Sequence, residues 1–149
     1  MVGDLVEFWG MNTEELKTGI KTVAERYGLD FVVLFGSQAT GKTHAKSDVD
    51  IAYLPPVNFS FDEDGQIYLD IVGLVRREDL DLINLRKVSP LLQKQIIDSA
   101  LLLYEKGPGT FEDFVLRVLR LYRETVALRR LERDYVIGKS REYALELNQ

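Results

Sequence analysis

Phe31-Val32-Val33-Leu34-Phe35-Gly36-Ser37, then ten residues, then Asp48-Val49-Asp50-Ile51-Ala52-Tyr53-Leu54 is the stretch on which the fold turns. Residues 31–35 are wholly apolar and rich in β-branched and aromatic side chains, which reads as a short buried strand. Gly36 ends it, and a small polar run continues to Ser47. A second strand covers 48–54 and stops at Pro55-Pro56, which cannot continue a ladder. Side chains two apart on a strand point to one face. Asp48 and Asp50 therefore project together just beyond the Gly-Ser turn. Two crowded carboxylates repel unless a cation lies between them, and hard oxygen donors favour Mg²⁺. A Gly-Ser turn with exposed amides beside them is a cradle for phosphates. The bland alternative is a pair of acids on a solvated strand face. By composition, the four-residue pattern arises in on the order of one in several hundred chains of this length.

The same glycine opens a competing motif. Gly36-Ser37-Gln38-Ala39-Thr40-Gly41-Lys42-Thr43 fits G-x-x-x-x-G-K-[ST], the phosphate loop of many NTPases. That loop works by opening a helix whose N-terminal amides hold phosphate, and the helix must cross over to a parallel strand. Only His44, Ala45, Lys46 and Ser47 stand between the motif and the next strand, and they build no apolar helix face. The motif lacks its structural context.

Outward from this stretch, helices and strands follow by periodicity. Asn12 and Glu15 resemble a capping box, and Leu16, Ile20, Val23, Ala24 and Tyr27 then recur at helical spacing over 13–27, with Gly28 as C-cap. Ile67, Ile71, Leu74 and Val75 mark a helix within 62–77, and 79–85 reads as a third strand. Ser89-Pro90 starts another helix, with Leu91, Leu92, Ile96, Ile97 and Ala100 toward the core, and 101–104 is a last short strand. Gly107-Pro108-Gly109 breaks the chain. Beyond it, apolar residues from Phe111 to Tyr135 mark one long amphipathic helix. The order predicts an α/β (α+β) fold, a small mixed sheet flanked by helices. A third carboxylate is expected from a neighbouring strand. Asp81 is favoured over Asp79, because Leu80, Leu82 and Ile83 embed it in an apolar run where an unpaired charge is costly.

Composition narrows the function classes. With 149 residues and 46% hydrophobic content, the chain is long enough to bury its own core. A net charge of −5 argues against an extensive nucleic-acid footprint but leaves room for a nucleotide beside a metal. No run reaches the length of a membrane span, and the acidic N-terminus does not read as a signal peptide. There are no cysteines, which fits a reducing cytoplasm and excludes thiolate metal sites.

Leu34-Phe35-Gly36-Ser37 with Ser47-Asp48-Val49-Asp50-Ile51-Ala52 resembles the signature of the minimal nucleotidyltransferases, in the DNA polymerase β-like superfamily. Asp81-Leu82-Ile83-Asn84-Leu85 before Ser89-Pro90 resembles that family's third-carboxylate strand, and Leu102-Leu103-Tyr104-Glu105 its closing strand. The resemblance implies a nucleotidyltransferase fold over residues 1–106 and a C-terminal helical extension over 107–149. It implies two Mg²⁺ ions on Asp48, Asp50 and Asp81, and ATP held by Gly36, Ser37, Lys42 and Ser47. Asp81 would lie nearest an incoming hydroxyl and draw its proton. Relatives of this size are commonly antitoxins of HEPN-type ribonuclease toxins, so the implied reaction is transfer of AMP to a toxin tyrosine. Steric inhibition and modification of a small molecule such as an aminoglycoside are the alternatives. Many relatives carry Arg at positions matching Gln38, Thr40 and Lys42, whereas here only Lys42 keeps the charge, with Lys46 and His44 nearby. The tail, with arginines interleaved among acids, is expected to pack on the domain, dock a partner helix or support a homo-oligomer.

Overall fold

Residues 13–40 and 48–147 are described in this computed structural model. The Asn12 cap, the segment Gly41-Lys42-Thr43, and His44, Lys46 and Ser47 lie outside the described residues. Helix α1 spans Thr13–Tyr27, and its buried stripe is the Leu16, Ile20, Val23, Ala24 set read from spacing. Gly28 closes it with φ +64°, a left-handed conformation that costs glycine little.

Strand β1 covers Phe31–Phe35, and a single helical turn, α2, covers Gly36–Thr40. After it come β2 (Val49–Leu54), α3 (Phe61–Val75) and β3 (Leu80–Asn84). Ser60 and Glu63 form a reciprocal capping box at the start of α3, with bonds of 3.2 and 2.7 Å. A 3₁₀ turn at Leu85–Lys87 leads to α4 (Pro90–Asp98), capped by Ser89 as expected, and to β4 (Leu101–Glu105).

The expected single C-terminal helix is two, α5 (Thr110–Glu124) and α6 (Val126–Glu146). The break falls at Thr125, whose hydroxyl donates to the Leu121 and Tyr122 carbonyls at 2.9 and 3.1 Å. Such back-bonding by a β-branched residue bends a helix. Periodicity alone does not register it.

The sheet order is β3-β2-β1-β4. β1 runs antiparallel to β2 and β4, and β2 runs parallel to β3. Alternation sends Val32, Leu34, Ile51, Tyr53, Leu80 and Leu82 toward α1 and α3. Phe31, Val33, Ala52, Leu54 and Ile83 face α4 and α5. Phe111 and Phe114 of α5 meet the Phe31 ring edge-on at 5.2 and 5.1 Å, so α5 is part of this second layer.

Leu91 does not join the core. It is 44% exposed, because five residues from buried Ile96 puts it about 140° round the helix. Helix α6 departs from the core as well, with Leu131 and Tyr135 67% and 68% exposed. No helix among the described residues is long and apolar enough to cross a membrane.

Candidate active site

The antiparallel turn from β1 to β2 carries the end of one strand beside the start of the next. Phe35 lies in register with Asp50, and Asp50 with Asp81 across the parallel β2–β3 pair. Residues in register share a face. Asp50 sits between Val49 and Ile51 of one core layer, so with Ala52 it belongs to the other. Asp81 likewise alternates with Leu80 and Leu82 to join Ile83. Asp48, two positions before Asp50, completes the row at the same end of the sheet.

The antiparallel pairing also settles the competing motif. A phosphate loop of the NTPase type joins parallel strands through a helix that follows its Lys. Here the strands are antiparallel, and the only helical turn described between them, α2, precedes Lys42.

Gly36 is required on two counts. Its φ is +73°, and a β-carbon there would collide with Asp50 Oδ2 and lie 3.2 Å from Asp50 Cγ. The backbone of the turn therefore sits directly against the central carboxylate. Its amide donates to Ser99 Oγ at 3.1 Å, across 63 positions of sequence. Ser99 caps the end of α4, so that helix helps to fix the turn. A phosphate reaching the Gly36 amide must exchange with this hydroxyl.

The three carboxylates differ in environment. Asp50 is half-buried, whereas Asp48 and Asp81 are exposed. Burial, then the Asp81 charge, then the Asp48 charge push the Asp50 carboxyl above its usual range. The burial expected of Asp81 is not found. Its register with Asp50, rather than an apolar surrounding, brings it into the site. Asp79 is engaged elsewhere: its carboxylate accepts from Arg77 Nε at 2.7 Å and from Arg77 Nη2. This pairing holds the Asp79 carboxyl below its usual range. Asp79 also accepts the Val49 amide on its carbonyl at 3.0 Å, tying the start of β3 to the start of β2. The Arg77 guanidinium lies within the field of Asp48 as well, which helps hold its proton.

Among the described residues, no three His, Cys, Asp or Glu side chains are already drawn together around a metal position. The donors nevertheless fit one. They are oxygen-only, they stand in register, and their mutual repulsion at Asp50 is what a bound cation relieves. Ser37 follows Gly36 as the second residue of the one-turn helix α2. Lys42 and Ser47 fall outside the described residues.

Sequence reasoning missed Ser99 and the Arg77–Asp79 pair. Neither belongs to a motif, and Ser99 meets Gly36 only through the folded sheet.

Comparison with known proteins matches the geometry. Residues 18–108 fit the family described as Polymerase beta, Nucleotidyltransferase. No curated protein matches the chain. A chain from a toxin–antitoxin structure with AMP-PNP superposes with a TM-score of 0.69 at 24% identity, covering 81% of this chain and 98% of that one. A chain from the complex of a tri-AMPylated Shewanella oneidensis HEPN toxin with an MNT antitoxin gives 0.67 at 21% identity, covering 85% and 99%. A third, from an MntA-HpeT complex with two Asp-to-Glu substitutions, gives 0.69 at 23%, covering 81% and 98%. These likenesses bear on the fold. With the carboxylate row in register, the glycine turn against its central member, and a family match across the sheet, the chain belongs to the polymerase β nucleotidyltransferase family.

Proposed function

We propose that this protein transfers AMP from ATP to a tyrosine hydroxyl of a HEPN-type toxin and thereby acts as its antitoxin. The observation that carries the reading is the row Asp48, Asp50, Asp81 at one end of the sheet, with Gly36 closed against its middle member. The similar structures lend support, since one contains a tri-AMPylated HEPN toxin and another was solved with AMP-PNP. The substitutions in the third fall on two aspartates two positions apart, the spacing of Asp48 and Asp50 here.

In this reading Asp48, Asp50 and Asp81 hold two Mg²⁺ ions, and Gly36, Ser37, Lys42 and Ser47 hold the triphosphate. The ions, when bound, supply charge neutralisation at the phosphates. The tyrosine oxygen bonds to the α-phosphorus, the bond from that phosphorus to the β-phosphate bridging oxygen breaks, and pyrophosphate leaves. Asp81, exposed on the outermost strand of the row, accepts the phenolic proton. The protein functions in the cytoplasm beside its target.

A second reading rests on the exposed apolar side chains of α6, which fit inhibition by binding alone. One experiment separates the two. Incubation with labelled ATP, Mg²⁺ and a HEPN toxin labels the toxin, and Asp48→Ala abolishes both labelling and neutralisation. Unlabelled toxin, or full labelling by Asp48→Ala, sinks the enzymatic reading. Neutralisation without labelling favours the second.

A further inference from the structure

The glycine turn is held from two sides. Toward β2 it meets the Asp50 carboxylate so closely that a β-carbon on Gly36 would collide with Oδ2, so the turn cannot come nearer. On the side of β4, the Gly36 amide donates to Ser99 Oγ at 3.1 Å. That bond opposes movement of the turn away from the carboxylate.

The anchor is itself fixed. Ser99 donates its own amide to the Ile96 carbonyl at 3.2 Å, and Ile96 is buried in the core. Two residues beyond Ser99, Leu101 stands in register with Leu34, which lies two positions before Gly36. Both ends of the Gly36–Ser99 bond are therefore carried on strands that pair with each other. The adjacent acid, Asp98, is engaged by Lys94 Nζ at 2.6 Å. What faces the turn is a neutral hydroxyl, which accepts the amide without adding charge beside Asp50. A triphosphate bridging the turn and the cation-holding carboxylates must span the gap between them, and a misplacement of about 1 Å in such a site can cost ~100-fold.

We propose that Ser99 is a positioning residue of the nucleotide site: by holding the Gly36 amide it fixes the glycine turn against Asp50, and so sets the affinity for the triphosphate but not for the acceptor. The triphosphate is served by the shape of the turn, while the Gly36 amide stays with Ser99. This deepens the reading above and rests on its nucleotide site.

The test uses the full chain with Mg²⁺, AMP-PNP, ATP and an intact HEPN toxin. Calorimetry gives the Kd for AMP-PNP, and toxin labelling gives kcat with separate KM values for ATP and toxin. Ser99→Ala is expected to raise the Kd for AMP-PNP and the KM for ATP by about three- to tenfold, the equivalent of one neutral hydrogen bond, and to leave the KM for toxin unchanged. Ser99→Thr retains the hydroxyl and is expected to behave as the parent does. Ser99→Cys keeps the volume but offers only a weak acceptor, so it should follow Ser99→Ala, and it carries the test should Ser99→Ala fail to fold.

A merely structural serine would lower the active fraction, and hence kcat, with both KM values unmoved; that result overturns the proposal. Tighter binding of AMP-PNP by Ser99→Ala overturns it too, because the hydroxyl would then be competing with phosphate for the amide. Either result leaves the transferase reading standing, provided the parent labels the toxin. If the parent binds AMP-PNP and labels nothing, the acceptor part of that reading falls and the Kd comparison still decides the role of Ser99. If it neither binds AMP-PNP nor labels the toxin, both fall.

Discussion

Replacing Asp50 with asparagine should make this protein more stable while abolishing transfer. The side chain keeps its shape, so the contact with Gly36 is preserved and only the charge is lost. In the native row, Asp50 is half-buried beside Asp81 and near Asp48, and its proton is held more firmly than in the unfolded chain. Neighbouring strands are about 4.8 Å apart, and two like charges at that spacing cost about 0.9 kcal/mol in water or about 3.5 kcal/mol at an effective dielectric of ~20. The exposure of Asp48 and Asp81 places the interaction near the aqueous limit. Adding partial desolvation of Asp50 gives a gain of about 1–2 kcal/mol, or ~2–6 °C in Tm for a chain of this size.

The pH dependence fixes the sign. Because the folded-state pKa is raised, ionisation of Asp50 opposes folding. The penalty is absent below the unfolded value of about 3.9, grows as pH rises from there through the raised folded value, and is complete above it. Thermal unfolding of Asp50→Asn and the parent at pH 7.5 in EDTA and low salt should show the full difference, and at pH 3 the two curves should coincide. Millimolar Mg²⁺ should raise the parent's Tm and leave the variant's nearly unmoved. A variant no more stable at neutral pH, or a gain that survives at pH 3, would refute the account of Asp50 as a strained, cation-seeking carboxylate.

Gly36→Ala should destabilise by about 2–3 kcal/mol, from the left-handed backbone and the collision with Asp50, and lose transfer; urea unfolding of Gly36→Ala, Asp50→Ala and the double variant should show the two changes coupled. Asp64→Ala should cost about 2–4 kcal/mol, because Asp64 accepts from Tyr53, from Asn84 at 2.9 Å and from Lys87 at 2.5 Å, and buried Asn84 would lose a partner. Burial resists ionisation of Asp64, but the bonds from Lys87, Tyr53 and Asn84 outweigh it and hold the carboxyl below its usual range. Its stabilisation is therefore complete above about pH 4 and lost as pH falls through the lowered folded value, the opposite slope to Asp50, readable by denaturant titration across pH. Ending the chain after Arg130 should shift Tm by no more than about 2 °C in a calorimeter, because the apolar residues removed are largely exposed and the Arg129–Tyr122 contact, 3.9 Å from guanidinium to ring centroid, is retained.

What was legible in the sequence is what local chemistry determines. The spacing of Leu16, Ile20, Val23 and Ala24, the Ser89-Pro90 start and the apolar run at 31–35 each report a short-range preference, and the elements stand where those preferences place them. The spacing of Asp48 and Asp50 was legible for the same reason, since a strand's two-residue period needs no partner. Asp81 does fall in register with Asp50, but not through the burial that singled it out. Its surroundings are not apolar; the parallel register of β3 on β2 puts it opposite Asp50, and register is a property of two strands. Ser99 was invisible for a related reason: a serine at a helix end says nothing about a glycine 63 positions earlier until β4 lies beside β1. The kink at Thr125 depends on a hydroxyl choosing a carbonyl over solvent, which hydrophobic periodicity does not encode.

The arrangement of the sheet determines how the carboxylate row is assembled. An antiparallel β1–β2 pair brings the glycine turn and the first two carboxylates together within one hairpin, so this part of the row is assembled locally. The parallel β3 then adds its carboxylate in register and is the last strand on that side among the described residues. Its place on an edge strand leaves the third carboxylate exposed. The same arrangement sets the cost at Asp50. Asp50 is flanked on one side by the Gly36 backbone and on the other by Asp81, and burial with the neighbouring charges raises the cost of its ionisation. Stability is thus given up at the one residue where cation binding returns it, which couples metal occupancy to the fold.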